Sequence, residues 1–504
     1  AGAVGAAALA GPLGATRLAA EPQRGGTLRL GISHGSTTDT LDPGVLEQVF
    51  TQVFSQCRNC MLTEIAPDGS LVGEVAESWE STPDAAVWTF RLRPGIEFHS
   101  GKTLDAEDVI ASINYHRRED STSAAKSIVE AIEEMTADGP DTVVIRLAQG
   151  NADLPMLLSD YHIPILPAVE GAIDPFTTDG CGPYLYDGWE PGVRAAAKRN
   201  PNYWKENAAF FDAIEMLAII DGAARLNALI SGQVDAIDQI DRATSHLLGR
   251  APGVRILSKA GTQHYGFPMD TRVAPFSDNN VRQALKYSID REELVETILG
   301  GYGEIGNDSP IGRSNRFFNT ELEQKTYDPD RARFHLREAG LDSLTVDIHL
   351  ADAAFDGCVD AGLLWAEKAR AAGISLNVVR EPDDGYWSNV WMVKPFAATY
   401  WGGRPTEDWM FTTTYARGAA WNETFWDNDR FNDLLLLARV ELDEDRRRAM
   451  YWEMQDIVAN QGGIVIPMYA NYVMALSDRV AHPEEVASNW TLDGFRAVER
   501  WWFA

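Results

Sequence analysis

Cysteine, histidine and basic residues are all scarce in this 504-residue chain, and each shortage excludes something. There are four cysteines. Cys57 and Cys60 form a C-x-x-C, but a zinc site needs a second pair at matching spacing, and Cys181 and Cys358 stand alone. The flanks lack the βαβ pattern of a thioredoxin-like redox centre, which leaves a local disulfide or two free thiols, and the count fits an oxidising compartment. The nine histidines are scattered and none falls in an H-E-x-x-H, so neither a metal nor another cofactor is expected. Lysine and arginine number 44 against 74 acidic residues, a net charge of −30 that would repel nucleic-acid phosphates and favours solubility. Beyond the first twenty residues no apolar run approaches the ~20 residues that span a bilayer. Those first twenty, small and nearly uncharged, resemble the hydrophobic and cleavage regions of a secretory signal without its basic start. A soluble, exported protein is the expectation.

The length points to roughly two to four domains. The most legible stretch is Val87 to Arg117. Trp88, Phe90 and Leu92 alternate with Val87, Thr89 and Arg91, as in a strand with one apolar face. Pro94-Gly95 breaks it, Ile96 and Phe98 resume the alternation, and His99 to Lys102 turn the chain. Asp105 and Asp108 then read as the capping positions of a helix carrying Val109, Ile110 and Ile113.

This stretch resembles the signature of the family 5 extracytoplasmic solute-binding proteins of ABC importers, roughly W-T-F-x-L-R-x-G-V-x-F-H-D-G-x-x-x-x-A-x-D-V. Other phrases are similar to the same family's: Glu77-Ser78-Trp79-Glu80, Gly180-Cys181-Gly182-Pro183-Tyr184, Asn200 to Trp204, Leu229 to Asp235, and the segment from Phe276 to Gly300. They run from about Gly26 to Tyr472. Within them Gly232 reads as a helix C′ glycine, and Asp278 and Asp290 as N-caps. Leu344 to Leu350 and Ile374 to Val379, separated by a helix, have the rhythm of an open sheet. Helices are expected near 430–442 and 446–460, with Arg446-Arg447-Arg448 as a solvated face. No internal repeat or low-complexity linker is present.

The resemblance implies an α/β, two-lobed periplasmic-binding-protein fold of the type II, cluster C kind, with open mixed sheets in each lobe and an extra subdomain in the first. Its implied boundaries are a leader over 1–24, a first lobe from 25–57, 178–262 and 465–504, the extra subdomain over 58–177, and a second lobe over 263–464. Glycines at 180 and 182 would suit a crossing between domains by tolerating unusual φ/ψ. The implied function is capture of a small solute in the inter-lobe cleft and delivery to an inner-membrane permease from the periplasm, as a single chain. Peptides are the first-choice cargo, with opines, acidic amino-acid derivatives and oligosaccharides behind them.

In the peptide-binding members a phrase W-x-x-D supplies an aspartate for the peptide ammonium. Here Trp401-Gly402-Gly403-Arg404 puts an arginine in its place. A guanidinium suits a carboxylate or phosphate instead. Three outcomes stay open: Arg404 reads an anion, Asp408 or Glu407 replaces the missing aspartate, or Arg404 merely pairs with Asp408. Trp421 and Asn422, Asn59 and Cys60, and Tyr265 are the further contact positions implied, amid aromatics at Tyr386, Trp387, Trp409 and Trp426. Against all this, Gly31-Ile32-Ser33-His34-Gly35 matches the G-x-S-x-G of serine hydrolases. That elbow needs a helix directly after the serine, whereas Ser36 to Asp39 and Asp42-Pro43 are loop-forming. A non-enzymatic receptor is the expectation.

Overall fold

The computed structural model describes residues 22–240, 248 and 251–504. The leader read in the first twenty residues lies outside them.

The first sheet has seven strands, in the order Tyr184–Glu190, Arg194–Arg199, Ala213–Ala218, Thr27–Ile32, Ala236–Ile237, Tyr472–Ser477, Val254–Lys259. Thr27–Ile32 runs parallel to both neighbours. Leu28, Leu30 and Ile32 are completely buried on it, as a central parallel strand requires. Helix Val49–Arg58 covers this sheet, with Phe50 and Phe54 against Trp189 at ring separations of 5.3 and 5.2 Å.

A separate four-stranded antiparallel sheet, in the order Ala76–Ser81, Val87–Leu92, Thr142–Leu147, Ile132–Ala137, forms the extra subdomain. Trp88, Phe90 and Leu92 point into its core as the alternation predicts. Asp105 and Asp108 form a reciprocal capping box on helix Ala106–Arg117. Ile96 and Phe98 resume the alternation, buried on either side of exposed Glu97, but outside the four-stranded sheet. Pro94 has no N–H for a ladder and Gly95 sits at φ +78°, so the chain leaves the sheet. It closes a tight turn (Phe98 N–H to Lys102 O, 2.8 Å) that still buries both apolar side chains.

The subdomain leaves and rejoins the first lobe side by side, where Gly182 donates to the Arg58 carbonyl at 2.8 Å. Gly180 and Gly182 are absent from the left-handed region. Glycine is required there for a different reason: a Cβ at either position would collide with the Arg58 backbone. The four cysteines are buried and unbridged. Cys57 lies in the first-lobe core and Cys60 in the subdomain core, so the local disulfide gives way to two thiols. Cys60 is instead 3.2 Å from the Cys181 carbonyl.

The second lobe is built on a four-stranded sheet ordered Gly303–Ile305, Ile464–Ala470, His264–Pro268, Thr399–Trp401. A parallel pair, Leu344–Leu350 with Ile374–Arg380, extends it through single bridges at His349–Ala397 and Met269–Phe396. Asp278 and Asp290 cap helices Asn279–Tyr287 and Arg291–Ile298, and Gly232, Gly300 and Gly301 take positive φ. Helices Asp429–Val440 and Glu444–Gln461 close the lobe.

The solvated-arginine reading of 446–448 fails at its middle residue. Arg446 and Arg448 are outward and paired with Glu441 and Asp445. Arg447 faces inward at 4% exposure, 2.7 Å from Asp153 of the extra subdomain. Helical periodicity puts neighbouring residues about 100° apart, so three consecutive arginines cannot share one face.

Candidate ligand-binding site

The chain crosses between the two large sheets twice, from Lys259 to His264 and from Ala470 to Tyr472. The crossings are hydrogen-bonded to each other, Ala470 N–H to Gln263 O at 2.9 Å. Two cavities lie beside them. One, of about 480 Å3, is bounded by Asp238 and Gln239 from the first lobe and by Tyr265, Phe355, Asp356 and Tyr400 from the second. The other is a small recess formed by Thr262, Gly403, Arg404 and Asn489-Trp490, with Ser314 and Met156 at its edge.

Strand register decides which side chain enters which space. Tyr265 stands opposite Tyr400, and His264 opposite Trp401, on neighbouring antiparallel strands. Side chains alternate along a strand, so the two tyrosines share the face toward the larger cavity and His264 and Trp401 share the other. Phe355 stacks on Tyr265 at 4.3 Å and 10°. Trp401 is buried, its indole N–H donating at 3.0 Å to Glu423, whose other oxygen accepts from Trp391 at 2.5 Å. Trp421 lies 5.9 Å from Trp401 and is half exposed. Gly403 fits because a Cβ there would land on the Thr262 hydroxyl.

Arg404 has no ion-pair partner among the described residues. Its guanidinium rests 5.7 Å from the Trp401 ring and 5.6 Å from that of Trp409. Among the described residues its side-chain hydrogen bonds are two long ones, 3.3 and 3.4 Å, to the Gly402 and Gly403 carbonyls, and its Nε is buried without an acceptor there. Burial lowers its pKa, and burial also pushes nearby His264 down to about 4, keeping that ring neutral.

The helix that follows takes both nearby acids away from Arg404. Thr406 caps helix Glu407–Thr414, turning both acids inward. Asp408 binds Arg439 at 3.1 Å, and Glu407 accepts from the Phe317 N–H at 2.8 Å. Neither pairs with Arg404, and neither lines the recess or the cavity. Burial raises Glu407 to about 7 and Asp408 to about 6.

The remaining positions scatter. Asn422 is buried and binds the Trp426 carbonyl at 2.8 Å, holding its own loop. Asn59 donates to Ser55 at 3.1 Å and Cys60 sits in the subdomain core; neither lines the two cavities. Asp238, Gln239, Phe355 and Asp356 were not among the residues expected from sequence. They come from loops after strands, and no local pattern marks such residues as cleft-facing.

Ser33 is 5% exposed and donates to Asp238 at 2.6 Å, with the His34 Nδ1 also 2.6 Å from its hydroxyl. The serine bridges the acid and the imidazole, whereas a catalytic triad places the imidazole between them. No helix follows Ser33, so the loop reading of this pattern holds. Burial raises the Asp238 pKa, against the hydrogen bonds from Ser33. Elsewhere, Glu64, Glu74 and Glu499 converge as a metal site would. Lys205 fills that place, 2.5 Å from Glu64 and 2.7 Å from Glu499, so an ammonium already supplies the counter-charge.

The model for bacterial extracellular solute-binding proteins, family 5 (middle), matches residues 70–423. The chain belongs to that family. This family 5 protein is 25% identical over 313 residues to the glutathione-binding protein of Pectobacterium atrosepticum, covering 61% of this chain and 60% of that one. That match therefore spans less than two thirds of the relative's length. With the glutathione-binding protein of Escherichia coli K12 it shares 23% identity over 445 residues, 85% of this chain and 86% of that one. Among solved structures, a murein tripeptide-binding protein in an unliganded open form aligns at TM-score 0.82 with 18% identity, covering 96% and 98%. The protein AgaA from A. tumefaciens R10, in complex with agropinic acid, aligns at 0.72 with 23% identity, covering 95% and 99%. These structures share the two-lobed periplasmic-binding-protein fold.

Proposed function

We propose that this protein is the solute-capturing receptor of an ABC importer, acting in the periplasm as a single chain and handing its cargo to a membrane permease. The hinge is the pair of crossings at 260–263 and 470–472. Its cargo is a peptide-like or opine-like solute bound between the lobes, and it does no chemistry on that cargo. Closure works by population shift, because only the closed state touches the ligand from both sides and so gains affinity. Family membership and the cavity at the crossings support this reading.

The observation that carries the ligand assignment is the Arg404 guanidinium, partly buried at the inter-lobe recess, its Nε without an acceptor and with no carboxylate lining the recess. An arginine held in that state is prepared for an anion, and a carboxylate offers it two oxygens in the plane of its fork. The aspartate that would hold a peptide ammonium is absent from this position. The ligand therefore turns an acidic group toward Arg404. Trp401 and Trp409 stand against the guanidinium, and Gly403 lines the same recess. In titration calorimetry with acidic dipeptides and glutathione, Arg404→Gln should cost about 2–5 kcal/mol, the loss typical of a buried charge deprived of its partner. Affinity unchanged by that substitution would make Arg404 a packing residue. Small-angle scattering tests the receptor reading separately: a bound solute should shrink the radius of gyration, and identical profiles with every solute tried would end it.

A further inference from the structure

The two cavities at the crossings share their walls. Thr262 lines the Arg404 recess and the next residue, Gln263, lines the larger cavity; Trp490 and Thr491 divide in the same way. Their polarities are opposite. Among the described residues, no carboxylate lines the Arg404 recess, and no lysine, arginine or histidine lines the larger cavity. The charged groups of the larger cavity are two acids. Asp238 is buried at its first-lobe side, and Asp356 is exposed at its second-lobe side with no ion pair or hydrogen bond among the described residues.

Five aromatic rings share that lining with aliphatic and uncharged polar side chains. Tyr265 and Tyr400 present themselves as a cross-strand pair, Phe355 stacks on the first, and Tyr302 and Tyr472 also line the cavity. Tyr400 is 44% exposed although its strand neighbours Thr399 and Trp401 are buried. The ring therefore faces the cavity rather than a core. Aromatic faces carry negative potential, and tyrosines around a carboxylate are the chemistry that holds ammonium and quaternary-ammonium groups. Asp238 is held by Ser33 and lies 3.9 Å from buried Arg225, so Asp356 is the acid left for a cationic group, and an anion in the same cavity would meet it with no cation in the lining.

We infer that the site takes an amphoteric solute, its anionic group against Arg404 and its ammonium group in the tyrosine-lined cavity facing Asp356. Relative to the W-x-x-D arrangement, the solute lies with its charges exchanged end for end. This rests on the receptor reading above and adds the class and orientation of the cargo. Asp356 and Tyr400 are then specificity residues for the cationic end, and Arg404 for the anionic end.

The test is calorimetry on the full chain with L-alanyl-L-alanine, its N-acetyl derivative, its C-terminal amide, glutathione, and maltotriose as a neutral control. Each blocked dipeptide should bind at least about tenfold more weakly than the free one, as the loss of one charged contact requires. The decisive result is the pattern of rescue. Asp356→Asn should remove the penalty for N-acetylation and leave that for amidation, while Arg404→Gln should do the reverse. Tyr400→Ala should weaken the free and amidated dipeptides but leave the N-acetyl form unchanged. Equal acetylation penalties in the parent and Asp356→Asn would overturn the assignment of the cationic end. Maltotriose binding indifferent to both charge substitutions would overturn the amphoteric class and leave the receptor reading standing. No binding of any probe by the folded protein would overturn the inference for all of these solutes, with scattering then deciding the receptor reading.

Discussion

Removing Arg496 should unfold much of what joins the extra subdomain to the chain's C-terminal segment. Arg496 holds Glu74 with two nitrogens, at 2.7 and 2.5 Å, and Glu499 at 2.9 Å. Glu74 is fully buried, and its remaining partners are the Met61 N–H at 2.8 Å and Lys205 at 3.5 Å. The cluster sets Glu64, Glu74, Glu499 and Asp493 against Lys205, Arg496 and Arg500, so every base in it is already committed. Burial alone would raise Glu64, but Arg496, Lys205 and Arg500 outweigh it and hold that carboxyl well below its ordinary range. Arg496→Met leaves one uncompensated negative charge in a dry core, which costs about 3–5 kcal/mol. At about 1–2 °C per kcal/mol, the scale for a chain of this length, the melting temperature should fall by roughly 3–10 °C. Differential scanning calorimetry reads it directly. The double variant Glu74→Met/Arg496→Met should be closer to the parent than the sum of the single losses, because the orphaned charge has gone too. A drop below about 3 °C for Arg496→Met, or strict additivity, would refute the account.

Three other expectations concern different parts of the molecule. Asp153→Ala strands Arg447, buried between the subdomain and helix Glu444–Gln461. It should cost about 3–5 kcal/mol in thermal denaturation. Glu407, raised to about 7 by burial, binds its proton more tightly folded than unfolded. Stability from this group is therefore present below its ordinary pKa of 4.5 and lost as pH rises through about 7, by roughly 3 kcal/mol. Glu407→Gln should flatten that limb of a stability–pH profile, and a slope unchanged between pH 4.5 and about 7, the ordinary and the raised pKa, would contradict the shift. Gly182→Ala presses a methyl into the Arg58 backbone and should cost on the order of 1–3 kcal/mol, read as a lower urea midpoint.

Local features were legible because local interactions make them. The capping box at Asp105 and Asp108, the buried face of Val87–Leu92 and the C′ glycine at 232 each depend on residues a few positions apart. Arg447 shows the limit of such reading. Three adjacent arginines look solvated in sequence, and the partner that draws one of them inside, Asp153, lies almost 300 residues away. Gly180 and Gly182 show another. Their phrase could be recognised, but the steric reason lies in a segment more than a hundred residues earlier.

The sequence by itself determined the family, the order of the elements and the substitution of arginine for the expected aspartate at position 404. Only the tertiary structure decided that Asp408 is taken by Arg439, that Arg404 is left without a carboxylate, and that Tyr265 and Tyr400 face one cavity with Asp356. Backbone periodicity and caps are fixed within a turn or two of chain. The partner of a charge is fixed by which segments fold against it, and those lie in different lobes.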